Sequence, residues 1–168
     1  MSDIFYLENN GDIASVRFLF KDFTDLYKYS RVVHMVRYPT LTDVPCPGEG
    51  CPICAKGYHA TSRTYIPLYN IDKKRIQFWS RYSSELQTLF KKNKLDTFNN
   101  LPSWVFEIQR RGITFSRETY YTATPIDRSY DEVGDIPSLD GTMIKQLSLE
   151  ELKAAVEWMP TLPKRKDA

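Results

Sequence analysis

The sequence predicts a mainly β protein with a few short helices, and three observations carry that expectation. Short runs rich in Val, Ile, Phe and Tyr recur along the chain, separated by turn-forming Asn, Asp, Gly and Pro. Only two stretches carry helical periodicity. A Gly- and Pro-rich loop, CPGEGCPIC at residues 46–54, interrupts the strands and holds all three cysteines of the chain. At 168 residues the chain fits one domain with a core of its own.

The elements follow in order. Ser15 to Phe20 reads as a first strand and Arg31 to Tyr38 as a second, leading into a loop from Pro39 to Pro45. Tyr65 to Tyr69 and Arg75 to Trp79 flank the turn-forming Asn70 to Lys74. Ser83 to Lys92 reads as a short helix: Leu86, Leu89 and Phe90 share a face, and Lys91 and Lys92 sit at the end the dipole favours. Trp104 to Arg110 and Ile113 to Arg117 read as a hairpin turning near Arg111-Gly112, and Tyr120 to Thr124 as a further strand. DEVGDIPSLDG marks an acidic linker. Ser148-Leu149-Glu150-Glu151 then opens a helix with a capping-box signature, its apolar face formed by Leu149, Leu152, Val156 and Met159. Residues 1–130 are thus expected to form the main domain, including a metal loop at 34–59, and residues 131–168 an acidic linker and an amphipathic helix.

Three clustered cysteines would leave one thiol over from a disulfide. Nothing in MSDIFYLENNGD reads as a secretion signal, and no stretch approaches the roughly 20 apolar residues of a membrane span. The expectation is a reducing compartment, where such clusters bind metal. Cys46-x4-Cys51-x2-Cys54 supplies three soft ligands of the kind Zn2+ accepts in a closed tetrahedral site, and Pro47, Gly48, Gly50 and Pro52 suit a loop wrapped around an ion. A fourth ligand must come from one of two histidines. His59 would make the site a self-contained knuckle; His34, within the strand-like RVVHMVRY, would clamp the loop onto the body of the domain. Spacing alone leaves both open.

Charge is distributed unevenly. The 23 Lys and Arg against 21 Asp and Glu give only +2 overall, but residues 56–94 hold nine basic and two acidic residues, whereas residues 131–168 are net acidic. Aromatics occur in the same basic segment: TYIPLYNIDKKRIQFWSRY interleaves Tyr65, Tyr69, Phe78, Trp79 and Tyr82 with Arg63, Lys73, Lys74, Arg75 and Arg81. Neighbours on a strand face opposite sides, so Phe78 and Trp79 enter one core only if a bulge or twist intervenes. One exposed ring beside cations is what a single nucleic-acid strand requires, and Trp79 is the first choice. Further candidates are Trp104, Phe106, Arg110 and Arg111 on the later strand, with Arg37 and Arg117 flanking. Five or so strands with a helix among them suit a small Greek-key barrel of the oligonucleotide-binding kind.

VVHMVRY, then CPGEGCPIC, then a basic and aromatic strand pair ending in FWSRY resembles the zinc-binding core of the single-stranded DNA-binding proteins of T-even bacteriophages and their phage relatives, over roughly residues 14–125. In that family a strand histidine precedes one cysteine and a Cys-Pro-x-Cys pair, and the matching positions are His34, Cys46, Cys51 and Cys54. The resemblance therefore favours His34 over His59. It implies an OB-fold-like five-stranded barrel with an inserted zinc loop, coating single-stranded DNA in replication, recombination and repair within the cytoplasm of the infected bacterial host. Phage replication or recombination proteins are the implied partners. The family's basic amino-terminal arm, which mediates cooperativity, has no match in MSDIFYLENNGD, and its long acidic-tailed carboxy-terminal region is shortened or lacking. The expectation is a compact relative, monomeric or weakly self-associating.

Catalysis has no sequence support: the chain shows no nucleophile elbow, no His-Glu-x-x-His and no glutamate-partnered zinc signature. A zinc-stabilised protein-interaction module that binds no nucleic acid is the alternative function.

Overall fold

The computed structural model describes residues 3–112 and 119–163. Among them are seven strands: β1 (Ile13–Phe18), β2 (Ser30–Arg37), β3 (Leu41–Pro45), β4 (Thr61–Asn70), β5 (Arg75–Tyr82), β6 (Val105–Arg111) and β7 (Tyr120–Ile126). Three short helices accompany them, α1 (Pro52–Ala55), α2 (Leu86–Lys92) and α3 (Leu149–Val156), with four 3-10 turns. The mainly β class is as expected, but the ladder of seven strands does not close on itself, where a five-stranded barrel was expected.

The chain divides into two compact units, Met1–Ser30 with Thr64–Pro137, and Arg31–Arg63 with Ser138–Ala168. The expected division at residue 130 separated the cysteine loop from the carboxy-terminal helix; in the structure both belong to the second unit.

In the first unit the strands run β5-β4-β1-β6-β7. The register sets Val16 of β1 against Asn70 on one side and Phe106 on the other. β6 is fully paired with β7, from Val105↔Ile126 to Arg111↔Tyr120. The expected hairpin arm Ile113 to Arg117 lies outside the described residues. Val16, Phe18, Phe20, Ile66, Leu68, Phe106 and Ile108 fill one core with Leu86 and Phe90 of α2. Each such side chain contributes roughly 1.5–3 kcal/mol on burial.

The sheet coils so far that the rings of Trp79 on β5 and Tyr121 on β7 meet edge to face, 4.9 Å between centroids. The residue that follows α2 bonds the outer edge of β7. Asn93, just after that helix, donates from Nδ2 to the Leu89 and Tyr121 carbonyls (2.9 and 3.1 Å) and accepts on Oδ1 from the Ala123 amide (2.9 Å). One side chain thereby satisfies the edge groups of β7 that a neighbouring strand would otherwise pair.

The parity argument for Phe78 and Trp79 is also corrected. Both rings are buried. The amino-terminal segment zips along β5: the Phe5 amide donates to the Phe78 carbonyl and the Phe78 amide to the Asp3 carbonyl, each at 2.8 Å. Phe5 then packs on Trp79 at 5.6 Å. Trp79 joins Phe5 in the first unit's core cluster while Phe78, at 0% exposure, is buried as well, so both faces of β5 are covered here.

In the second unit β2 and β3 pair from Val33↔Pro45 to Arg37↔Leu41, so part of the expected Pro39–Pro45 loop is a strand. Its far edge is used too, since the Lys145 amide donates to the Asp43 carbonyl at 3.0 Å. α3 begins with the expected capping box, Ser148 and Glu151 bonding reciprocally. Leu152 and Val156 pack with Val36, Val44, Cys51 and Ile53. Leu149, expected on the apolar face, is exposed, while Ala155 is buried instead. No described helix is long and apolar enough to cross a membrane.

Candidate metal centre and nucleic-acid interface

His34 lies on β2 opposite Val44, a register that turns its imidazole toward the cysteine loop. That loop folds back tightly because Gly48 and Gly50 take positive φ (+81° and +75°), conformations other residues adopt with strain. Cys51 caps α1, and Pro52 occupies the first turn, where no amide hydrogen is needed. The result is a group in which one ligand atom from each of His34, Cys46, Cys51 and Cys54 lies within 4.8 Å of every other, a set that could hold a metal ion.

The individual distances test the fit. His34 Nε2 is 3.5 Å from Cys51 Sγ and 3.4 Å from Cys54 Sγ, and the Cys46 and Cys54 sulfurs are 3.7 Å apart. Tetrahedral bonds of about 2.3 Å to sulfur and 2.0–2.1 Å to nitrogen give edges of about 3.8 and 3.5 Å, so these three distances match the edges of a zinc-sized tetrahedron, and the other pairs lie within 4.8 Å. The Gly48 amide points at Cys46 Sγ (3.4 Å) and the Cys54 amide at Cys51 Sγ (3.5 Å), as expected of donors that stabilise thiolates. Burial lowers the His34 pKa, favouring the neutral ring that a metal requires. Burial, followed by the adjacent Cys46 and Cys51 thiols, pushes the Cys54 thiol up to about 12. A bound cation would reverse that preference by stabilising thiolate. His59 is exposed and takes no part in the cluster.

The expected nucleic-acid residues separate into buried and exposed sets. Tyr65, Tyr69, Trp79 and Phe106 are core residues, which leaves them no open ring face for a base; Trp79 retains only 4% of its surface. Arg110 is buried as well, its guanidinium donating to the Leu7 and Glu8 carbonyls at 2.8 and 2.6 Å. Arg75 is half-buried and paired with Asp3 at 2.8 Å. The amino-terminal segment occupies Trp79, Arg75 and Arg110, whereas Tyr69 packs with Ile71 and Val105 and Phe106 with Phe18 and Phe98; strand periodicity reveals none of these partners. Arg37, Lys73, Lys74, Tyr82, Trp104 and Arg111 are exposed, and Arg63 and Arg81 are partly so. Arg117 lies outside the described residues.

A cleft of about 270 Å³ in the first unit gathers residues that sequence reading did not join. Among the residues that line it are Arg81, Glu85, Leu89, Lys92, Tyr120 and Tyr121. Lys92 Nζ stands 4.3 Å from the Tyr120 ring centroid, and the Arg81 guanidinium 5.0 Å from that of Tyr121. Tyr120 is 43% exposed. Arg81 is also bonded to Glu85 at 2.6 Å. Lys92 and the Tyr120–Tyr121 pair were missed because 28 positions separate Lys92 from Tyr120, and only the docking of α2 against β7 brings them together.

No family model matches the chain, and neither curated proteins nor solved structures match it.

Proposed function

We propose that the protein is a zinc-stabilised, sequence-nonspecific single-stranded DNA-binding protein. The observation that carries the reading is the α2–β7 cleft, where an exposed tyrosine ring lies beneath a lysine with an arginine beside it. Rings offer stacking to any base and cations attract phosphates, a combination that reads no sequence. The Cys3His group supplies four donors and no open position, which makes its metal structural. The resemblance of the cysteine loop to the phage family agrees with this reading and extends it to DNA replication, recombination and repair in the infected cell, with an OB-like organisation of the sheet.

The test is titration of fluorescent oligo-dT across a range of salt. Binding that weakens steeply as salt rises, together with loss of roughly five- to 150-fold in affinity for Tyr120→Ala, is the expected result. No binding at low salt would refute the proposal. It would favour the second reading, a zinc-stabilised protein-interaction module, for which the outward-facing Trp158 (64% exposed) is the favouring observation.

A further inference from the structure

The second unit joins the cysteine loop to the carboxy-terminal segment through contacts that cluster immediately after the last metal-ligating cysteine. Lys56 lies two residues beyond Cys54. Its ammonium donates to the Val156 carbonyl, to the Met159 carbonyl at 2.7 Å and to the Glu157 carbonyl at 3.2 Å. These carbonyls belong to the end of α3 and the residues that follow, where oxygens point away from the helix and favour a cation; that of Val156 also accepts from the Met159 amide at 3.0 Å. The Lys56 carbonyl in turn accepts from the Leu162 amide at 2.8 Å, and Tyr58 Oη donates to the Pro160 carbonyl at 2.9 Å. Gly57 lies close enough to Leu162 that an added Cβ would stand 3.0 Å from the Leu162 Cβ. On the apolar side, Cys51 and Ile53 pack against Leu152 and Val156.

Every one of these groups on the loop side falls within Cys51–Tyr58, a stretch with a single turn of helix. Four residues of helix do not hold themselves together in water. Cys51 and Cys54, at the start and third residue of that turn, are two of the four potential ligands. Val36 and Val44 of the β2–β3 hairpin complete the apolar side of the surface, and the loop's share of it, including every hydrogen bond named above, depends on what fixes those two sulfurs.

We infer that the metal loop is a docking surface for the chain's own carboxy-terminal segment, and that metal occupancy controls whether residues 149–162 are held or released. The inference rests on metal binding at the Cys3His group and is independent of DNA binding. With metal bound, Lys56, Gly57 and Tyr58 are presented in the arrangement that receives α3 and the extended chain after it. Without it, the loop loses its fixed form, and the segment keeps only the packing of Leu152 and Val156 on Val36 and Val44, too little to hold it.

The experiment is hydrogen exchange by mass spectrometry on the full chain, zinc-loaded and after chelation, with metal content measured in parallel. Chelation is expected to raise exchange about tenfold or more across 149–162 while Val105–Arg111 of β6 stays protected. Lys56→Met, which keeps the side-chain stem but removes the ammonium, is expected to retain full zinc and lose protection in the same segment. Unchanged protection of 149–162 after proven metal loss would overturn the inference. So would equal loss across Val105–Arg111, a protein that holds no zinc yet protects the segment, or a Lys56→Met chain as protected as the wild type.

Discussion

Trp79 and Tyr121 touch edge to face at 4.9 Å although their strands share no ladder. The contact places Trp79 between Phe5 on one side and Tyr121 on the other, in the middle of the first unit's core. Trp79→Ala should therefore cost about 3–5 kcal/mol of stability, and the variant, where still folded, should bind oligo-dT normally. Thermal melts paired with titrations check this. An intact melt with weakened binding would return Trp79 to the DNA surface.

Asn93 substitutes for a missing strand, and its removal should be felt as lost hydrogen bonding. Asn93→Ala leaves the Tyr121 carbonyl and the Ala123 amide without their partner at the edge of β7. The expected cost is about 1–3 kcal/mol, read by denaturant unfolding. A change near zero would mean that water replaces the side chain at no penalty.

Metal content should follow His34 and ignore His59. One zinc per chain is expected for the wild type and His59→Ala, with loss in His34→Ala, since only His34 stands within reach of the sulfurs. Elemental analysis decides it. The stability of the second unit should fall with the metal, because binding free energy at such a site is also folding free energy.

Two charge substitutions in the cleft should act with opposite signs. Lys92→Gln removes the cation above Tyr120 and should lower the slope of log affinity against log salt by about 1. Glu85→Gln removes the carboxylate that holds Arg81 at 2.6 Å, freeing that guanidinium for phosphate, and should tighten binding several-fold. Equal effects of both variants would disprove phosphate binding at this cleft.

Acid should weaken the turn between β4 and β5. Burial raises the Asp72 pKa, but the Ser15 amide and the Arg128 guanidinium, at 2.9 and 2.8 Å, outweigh it and the net shift is downward from 3.8. A carboxyl depressed on folding contributes stability that is complete above its unfolded pKa and disappears as pH falls through the folded value. Stability should therefore decline below about pH 4, and Asp72→Asn should flatten that part of the curve. Urea melts at pH 3 and pH 6 make the comparison, and an unaltered difference between the two pH values would count against Asp72.

Local chemistry was legible in the sequence wherever the determining residues are neighbours. Cys46, Cys51 and Cys54 announce a metal loop because glycines and prolines force their sulfurs together, and Ser148 with Glu151 announces a helix start because the capping box closes over three residues. Runs of β-branched and aromatic residues bounded by turn formers located most strands, since such side chains suit a pleated, half-buried surface. Which histidine joins the sulfurs, which aromatic is core and which is open were decided by tertiary structure. His34 reaches the loop through the register of β2 on β3. Trp79 is covered by Phe5 and Tyr121, which come from opposite ends of the first unit's sequence. Lys92 meets Tyr120 only because α2 occupies the edge of β7. Burial is a property of two surfaces, and a residue's own neighbours in sequence specify just one of them.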